Sequence, residues 1–370
     1  MGLRRREFAW GGLAALVACR RRKAEGFAGY AFVANSAGRA VAVVDLNAFA
    51  AIRHIRLESD PVQLIAHPRR PSIYCLTPAG GALCEIDAST LKLARTARVG
   101  GHPDAMLLSP DGDRIWLLER SAGTLQSVPT STLNPGRPVK LPALPFGFDI
   151  SPDGATLAIG FGAAGFFLMP AAAPAPPPLT PLDGSADLLR FRSDSRQLLV
   201  GNQTRRTLSV IDSASSRLVV HLPLPVRPEH FCFKPDGGQL FITGEGMDAV
   251  VTVHPYQTQI ASSTLAGGSP GYMAAARDPD YLFVTNPLSG DVSVIDITTQ
   301  RLLAVVTVGR EPRFVTITPD NRYALVLNRE SGDMAVIRIE TLTGRRRKLA
   351  PLFLLAPVGS RPVCAVVLPA

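Results

Sequence analysis

Residues 281–319 read YLFVTNPLSGDVSVIDITTQRLLAVVTVGREPRFVTITP and contain four apolar segments separated by turns. The segments are YLFVTN, DVSVID, RLLAVVTV and RFVTITP. Each alternates or runs apolar over a few residues, is rich in β-branched residues and is bounded by turn residues. That pattern is typical of β-strands and not of helices. The stretch therefore predicts a unit of four strands.

The fourth segment recurs along the chain and sets the period of the unit. Copies end at Pro68, Pro110, Pro152, Pro235, Pro319 and Pro369, and LLRFRSD and YMAAARDPD supply two more. Pro68, Pro110 and Pro152 are 42 residues apart, and each of the next two intervals holds two units. A repeat of about 40–45 residues with four strands per unit indicates a β-propeller.

The repeat starts at its second strand (residues 30–35) and finishes at its first (residues 363–369). We therefore expect residues 363–369 to become the innermost strand of the blade whose outer strands lie within residues 30–58, which closes the ring. Residues 30–370 then form one all-β propeller of about eight four-stranded blades. In the fourth unit, GFFLMPAAAPAPPPLTP (165–181) contains six prolines, which we expect to replace the third and fourth strands by an edge strand or a polyproline segment.

Two motifs inside the unit resemble a known repeat. Residues 283–286 (FVTN) with 292–296 (VSVID) are similar to the YVTN-type β-propeller repeat, and residues 31–35 with 41–45 form a second copy. The resemblance implies a bacterial, exported propeller like those of surface-layer and lactonase-like proteins, and it specifies fold better than activity. Many proteins with this repeat have seven blades, so seven is the alternative count. We interpret the Asn and Asp as strand-ending residues that bond nearby amides, without a site role.

The N-terminal segment predicts export. Residues 3–19 read LRRREFAWGGLAALVAC, a basic start followed by an apolar run too short to span a bilayer. Residues 5–8 (RREF) resemble the twin-arginine export motif, and residues 16–19 (LVAC) resemble a lipobox, whose Cys is lipidated. We therefore expect an export signal (1–19), a basic linker (20–29) and a monomeric periplasmic or cell-surface lipoprotein anchored at Cys19. An ordinary secretory signal with an incidental Cys19 is the alternative.

The charge of the chain argues against nucleic-acid binding. Its formal net charge of +9 is concentrated in clusters at residues 4–6 and 20–23, so the folded body is close to balanced.

Candidate ligand-binding residues lie where the chain enters each innermost strand, because propeller ligands usually enter the central channel at one face. The candidates are His102, Asp104, Glu229, His230, Tyr272, Arg310, Arg313 and Arg361. Ring closure would bring the three arginines together, which suits a carboxylate or a phosphate. The alternative is that these arginines are solvated or are paired with Glu311 and Asp60.

The cysteines and the remaining histidines predict no metal or cofactor. No Cys-x-x-Cys or Cys-x-x-Cys-His motif is present, and the candidates His102, Asp104, Glu229 and His230 fall about three blades apart. Cys75 and Cys84 lie on consecutive strands, either as a disulfide or as two buried thiols, and Cys232 and Cys364 are expected in the core. We expect His54, His67, His221 and His254 at the surface or at strand ends.

Three functions are consistent with these features. The leading interpretation is a non-enzymatic binding or scaffold protein of the cell envelope that takes a protein, peptide or glycan. The alternative is a lactonase-like hydrolase that uses His102, Glu229 or His230 as acid or base in the channel mouth, and a redox accessory to a dehydrogenase is a second alternative. The sequence contains no G-x-S-x-G motif and no Gly-rich phosphate loop opening a helix.

Lipidation at Cys19 predicts the outcome of one substitution. Cys19→Ser should move the protein from the membrane fraction to the soluble fraction, because the lipid would have no attachment point. Cell fractionation followed by immunoblotting measures this, with Cys232→Ser as the matched control that stays with the membrane. Unchanged membrane partition of Cys19→Ser would contradict the lipid anchor.

Overall fold

The computed structural model describes residues 26–342 and 350–370. The predicted export signal, linker residues 20–25 and the basic run at 345–348 lie outside the described residues. None of the helices in the described part of the chain is long and apolar enough to cross a membrane.

The described residues form β-strands and two short 3₁₀ helices (Pro78–Gly80 and Ile339–Thr341). The strands are β1 Gly29–Asn35, β2 Ala40–Asp45, β3 Ala50–Arg56, β4 Gln63–Ala66, β5 Ser72–Thr77, β6 Ala82–Asp87, β7 Lys92–Arg98, β8 Ala105–Leu108, β9 Arg114–Glu119, β10 Thr124–Pro129, β11 Val139–Lys140, β12 Gly147–Ile150, β13 Thr156–Gly160, β14 Phe166–Pro170, β15 Leu188–Phe191, β16 Gln197–Asn202, β17 Thr207–Asp212, β18 Leu218–Pro223, β19 Arg227–Phe233, β20 Leu240–Glu245, β21 Ala249–His254, β22 Gln259–Leu265, β23 Met273–Ala275, β24 Tyr281–Asn286, β25 Asp291–Asp296, β26 Arg301–Thr307, β27 Pro312–Ile317, β28 Tyr323–Asn328, β29 Asp333–Arg338, β30 Leu352–Pro357 and β31 Pro362–Pro369.

These strands build eight antiparallel sheets, the blades of a β-propeller, as the repeat predicts. Blade 1 has the strand order β31-β1-β2-β3 from the inside outward, and blades 2 to 8 follow in chain order from β4 to β30. We name the four strands of a blade a to d, with a innermost. The a–b and c–d turns then lie on one face, called the lower face, and the b–c and d–a loops lie on the upper face.

The ring closes as predicted, because the last strand pairs with the first. In blade 1, β31 lies antiparallel to β1, with Tyr30 opposite Leu368, Phe32 opposite Val366 and Ala34 opposite Cys364. Sequence therefore predicted both the number of blades and the residues that join them.

Each junction between neighbouring blades holds a hydrophobic cluster. The cluster between blades 8 and 1 contains Val33, Tyr323 and Leu325, all buried, and the other junctions are filled in the same way. The cores lie between blades, and the a strands surround the central axis of the ring, which we call the channel.

One expectation for blade 4, the loss of its third strand, was wrong. Strand c was expected to be lost to the prolines of residues 165–181, but β14 forms and pairs with β13. Phe166, Phe167 and Met169 are buried there, and their burial favours the strand, while Pro170 falls at its end. Strand d is absent as expected, since a single bridge between Phe166 and Thr180 is all that replaces it.

The repeated turn residues act as the sequence indicates. In the a–b turn of blade 4, Ser151 Oγ donates to Asp153, and the Asp153 carboxylate accepts from the amide of Ala155. These bonds hold the pKa of Asp153 below its usual range. The Asp at the end of strand c has a matching role, since Asp45 accepts from the amide of Asn47.

A candidate ligand site at the channel mouth

A ring of equivalent residues lines the upper end of the channel. Each member lies on strand a or directly before it. Within its own blade, each member is paired with the penultimate residue of strand b or with the residue that corresponds to it in the repeat. In the order of blades 1 to 8 this mouth layer contains Cys364, Gln63, Ala105, Gly147, Leu188, His230, Tyr272 and Phe314. The layer is uneven, because rings fill blades 6 to 8 while Ala and Gly occupy blades 3 and 4. The two sides of the mouth therefore differ, with aromatic side chains on one side and small residues on the other.

The three rings form a ladder across neighbouring blades. The ring centroids of His230 and Tyr272 are 4.5 Å apart, with planes inclined at 38°. Those of Tyr272 and Phe314 are 5.9 Å apart at 49°. Both spacings lie in the range of favourable aromatic pairs. Tyr272 remains 46% exposed, so part of the ladder is accessible to solvent.

Backbone irregularities place two of these rings. The register of β19 shifts between Pro228 and His230, and that of β27 shifts between Pro312 and Phe314. A bulge of this kind re-aims a side chain, and each follows a Pro that is the first or second residue of the strand. Phe314 was not among the candidates predicted from sequence, although its spacing from Pro312 repeats that of His230 from Pro228.

Arg313 supplies positive charge beside the ladder. Burial lowers the pKa of His230 below its usual value, and the nearby guanidinium of Arg313 lowers that pKa further. His230 is therefore a neutral imidazole near neutral pH. The Nε of Arg313 donates to Glu311 at 3.0 Å, as the pairing alternative predicted.

A second arginine lies on strand a of blade 5, next to the His230 end of the ladder. Arg190 of blade 5 pairs with Asp149 of blade 4 at 3.4 Å, and Asp149 also accepts from the amide of Phe191 at 2.7 Å. Burial nevertheless raises the pKa of Asp149.

Burial also raises the pKa values of Cys232 and Cys364 to about 12, so both thiols stay protonated.

The other candidates from sequence lie in the loops around the mouth. His102 donates from Nδ1 to the carbonyl oxygen of Pro78 at 3.0 Å, in blade 3 and far around the ring from His230. Asp104 pairs with Arg120 at 3.2 Å, and Arg310 pairs with Glu330 at 3.4 Å. The carbonyl oxygen of Arg361 accepts from the amide of Ser36, which ties β31 to the first b–c loop. Glu229 is exposed on the bulge before His230.

The structure also places His67 and four of the cysteines. His67 directly follows β4, which agrees with the predicted strand-end position, and it is buried there. Its Nδ1 accepts from the amides of Arg69 and Arg70 and so closes a turn. Cys232 and Cys364 are partly exposed and not fully in the core. Cys75 and Cys84 lie opposite each other and are buried as free thiols.

The described residues include a Ser–His contact that is closed to solvent. Ser209 Oγ and His221 Nδ1 are 2.8 Å apart, a pair that sequence reasoning missed because its members lie on different strands. Ser209 is fully buried beneath strand d, so a substrate cannot reach it. Within residues 26–342 and 350–370, no group of three His, Cys, Asp or Glu side chains is placed to hold a metal ion.

Comparison with known proteins agrees with the fold. The family model "Lactonase, 7-bladed beta-propeller" matches residues 219–365, less than half of the chain. No curated protein sequence matches the chain. The chain is thus a β-propeller related in fold to lactonase-type proteins, with eight blades in place of seven.

Three solved structures illustrate the relation. The dihydro-heme d1 dehydrogenase NirN in complex with DHE is 17% identical with a TM-score of 0.75, covering 92% of this chain and 75% of that chain. Apo AztD from Citrobacter koseri is 13% identical with a TM-score of 0.69, covering 92% and 98%. A putative 6-phosphogluconolactonase from Bacteroides fragilis is 15% identical with a TM-score of 0.58, covering 92% and 98%. Identities this low show the fold alone.

The environment of His230 predicts its titration. Its pKa in the folded protein should lie below the usual value near 6.5, so its contribution to stability is lost as the pH falls below that value. Arg313→Gln should raise the pKa, because one lowering charge is removed. NMR titration of the histidine side chains, assigned with His230→Gln, measures both. Arg310→Gln is the matched control and should leave the pKa of His230 unchanged. If Arg313→Gln also leaves that pKa unchanged, the placement of Arg313 beside His230 is contradicted.

Proposed function

We propose that this chain is an exported, lipid-anchored binding protein of the cell envelope that holds a flat, conjugated organic anion at the channel mouth. The observation that carries the proposal is the ladder of His230, Tyr272 and Phe314 with Arg313 beside it. Export and the anchor rest on the sequence of residues 3–19. The protein acts as a monomer and without catalysis.

The chemistry of the ladder selects the ligand class. Aromatic rings bind flat conjugated faces by stacking, and a guanidinium binds a carboxylate through charge-assisted hydrogen bonds. The Ala105 and Gly147 side of the mouth layer leaves room opposite the rings. The ladder therefore favours a flat conjugated carboxylate over the protein, peptide or glycan that the sequence predicted.

A tetrapyrrole carboxylate is the first ligand to test. The NirN structure supports this choice in two ways only: its name refers to dihydro-heme d1, and its fold is similar to that of this chain. In this chain the argument rests on the ladder and Arg313.

The lactonase-type match over residues 219–365 favours a second candidate, a lactone hydrolase. Glu229 and His230 lie within that segment and would serve as base or acid. His102 lies three blades away, in the d–a loop leading into β8, so it would not act with them. Turnover of a hexose lactone that is abolished by both His230→Ala and Glu229→Ala would favour this candidate over binding alone.

Binding of metal-free protoporphyrin IX tests the leading proposal. Fluorescence titration of the full chain should show saturable binding, and Tyr272→Ala should weaken it about tenfold, because a stacking contact is worth roughly 1–3 kcal/mol. Arg313→Gln should weaken it severalfold through the lost carboxylate contact.

Two controls make the result specific. Tyr256→Ala removes a tyrosine of similar exposure (50%) on the lower face and should leave the affinity unchanged. A saturated dicarboxylate, which has charge but no conjugated plane, should not compete. The proposal would be overturned if Tyr256→Ala weakened protoporphyrin binding as much as Tyr272→Ala does, or if the unaltered protein did not bind protoporphyrin.

A further inference from the structure

A separate pocket lies on the rim of the upper face, between blades 8 and 1. Its volume is about 490 Å³. Its apolar lining residues are Ala40 and Leu57, and its polar and glycine lining residues are Asn35, Gly38, Arg39, His54, Arg56, Gly359 and Ser360. It lies where strand b ends, strand c begins and strand d ends, and not at the channel mouth.

The propeller repeat indicates what this pocket lacks. In blade 7, Asn286 at the end of strand b donates from Nδ2 to Asp291 at 2.6 Å, and in blade 8 Asn328 donates to Asp333 at 2.6 Å. Each Asp lies opposite its Asn in the strand pairing. In blade 1 the residue opposite Asn35 is Ala40. The carboxylate that the Asn binds in blades 7 and 8 is therefore missing from blade 1.

The side chain of Asn35 has hydrogen-bonding capacity left over. It is only 1% exposed, and its Nδ2 donates to the carbonyl oxygen of Val358 at 2.7 Å. An amide nitrogen carries two hydrogens, so one N–H remains for a ligand. Its Oδ1 has no partner among the described residues. That oxygen is also unpartnered in Asn286 and Asn328, so the missing carboxylate distinguishes blade 1 from blades 7 and 8. Blade 5 also lacks the carboxylate, because Asn202 lies opposite Thr207, but there the Asn Oδ1 accepts from the amide of Arg205.

The charge around the pocket suits an anion. Arg39, His54 and Arg56 line it, and none of its described lining residues is acidic. Arg39 Nε contacts Asp60 at 3.1 Å, but both side chains are about half exposed or more. An exposed pair of this kind contributes little and can rearrange around a ligand.

We propose that this pocket binds a uronic-acid unit of an acidic glycan. The sugar carboxylate takes the place that the Asp carboxylate has in blades 7 and 8, accepting from Asn35 Nδ2 and from Arg56. A neighbouring sugar hydroxyl donates to Asn35 Oδ1. A peptide C-terminus has similar groups, but Leu57 and Ala40 are the apolar side chains among the described lining residues, which leaves little to hold peptide side chains.

Calorimetric titration of the full chain with D-glucuronate tests the proposal, with D-glucose and N-acetyl-glycylglycine as comparison ligands. Glucuronate should bind, and glucose and the dipeptide should bind at least tenfold more weakly. Ala40→Asp restores the carboxylate found in blades 7 and 8, so it should abolish glucuronate binding and raise the melting temperature. Arg56→Gln, at an exposed position, should weaken binding at least fivefold and tests the site even if Ala40→Asp does not fold.

Two variants separate this site from other effects. Arg217→Gln, in the c–d turn on the lower face, should leave glucuronate binding unchanged. Tyr272→Ala should also leave it unchanged, which distinguishes the rim pocket from the channel mouth. Three results would overturn the proposal: the dipeptide binds more tightly than glucuronate, glucose binds as tightly as glucuronate, or Arg56→Gln leaves the affinity for glucuronate unchanged.

Discussion

The antiparallel pairing of β31 with β1 joins strands that lie more than three hundred residues apart in the chain. Without it, blade 1 would lack its innermost strand and blade 8 would expose the apolar face that now packs on Val33. An open sheet edge is a site for unwanted pairing, and closure removes it. The eight junctions then form one continuous ring of cores, in which each blade is supported on both sides.

Closure also arranges the surfaces that carry the proposed functions. It places Phe314 of blade 8 next to Cys364 of blade 1 in the mouth layer, so the aromatic ladder ends at the closing strand. It brings the d–a loop at Gly359 against Asn35, which forms one wall of the rim pocket. The two proposed sites use the same repeat differently: the mouth depends on side chains in strand a, and the rim depends on a residue missing from strand c.

The regular spacing of the strand-a segments was enough to predict the blades and their closure, because each unit must bury its faces against its neighbours. The third strand of blade 4 was missed because the prolines outweighed Phe166 and Met169 in the sequence pattern. His230 and Tyr272 were predicted at the mouth from their position before or near strand a, but their stacking depends on the bulges and the blade angles. The role of Asn35 required the register, which identifies Ala40 as the residue opposite it.

Native-state hydrogen exchange on the full chain tests the closure most directly. If β31 locks the ring, the amides of β1 and β31 exchange only through global unfolding, with the same free energy and denaturant dependence as buried amides of β16 on the far side of the ring. Exchange of the β1 and β31 amides through a smaller opening, while β16 stays protected, would contradict the account.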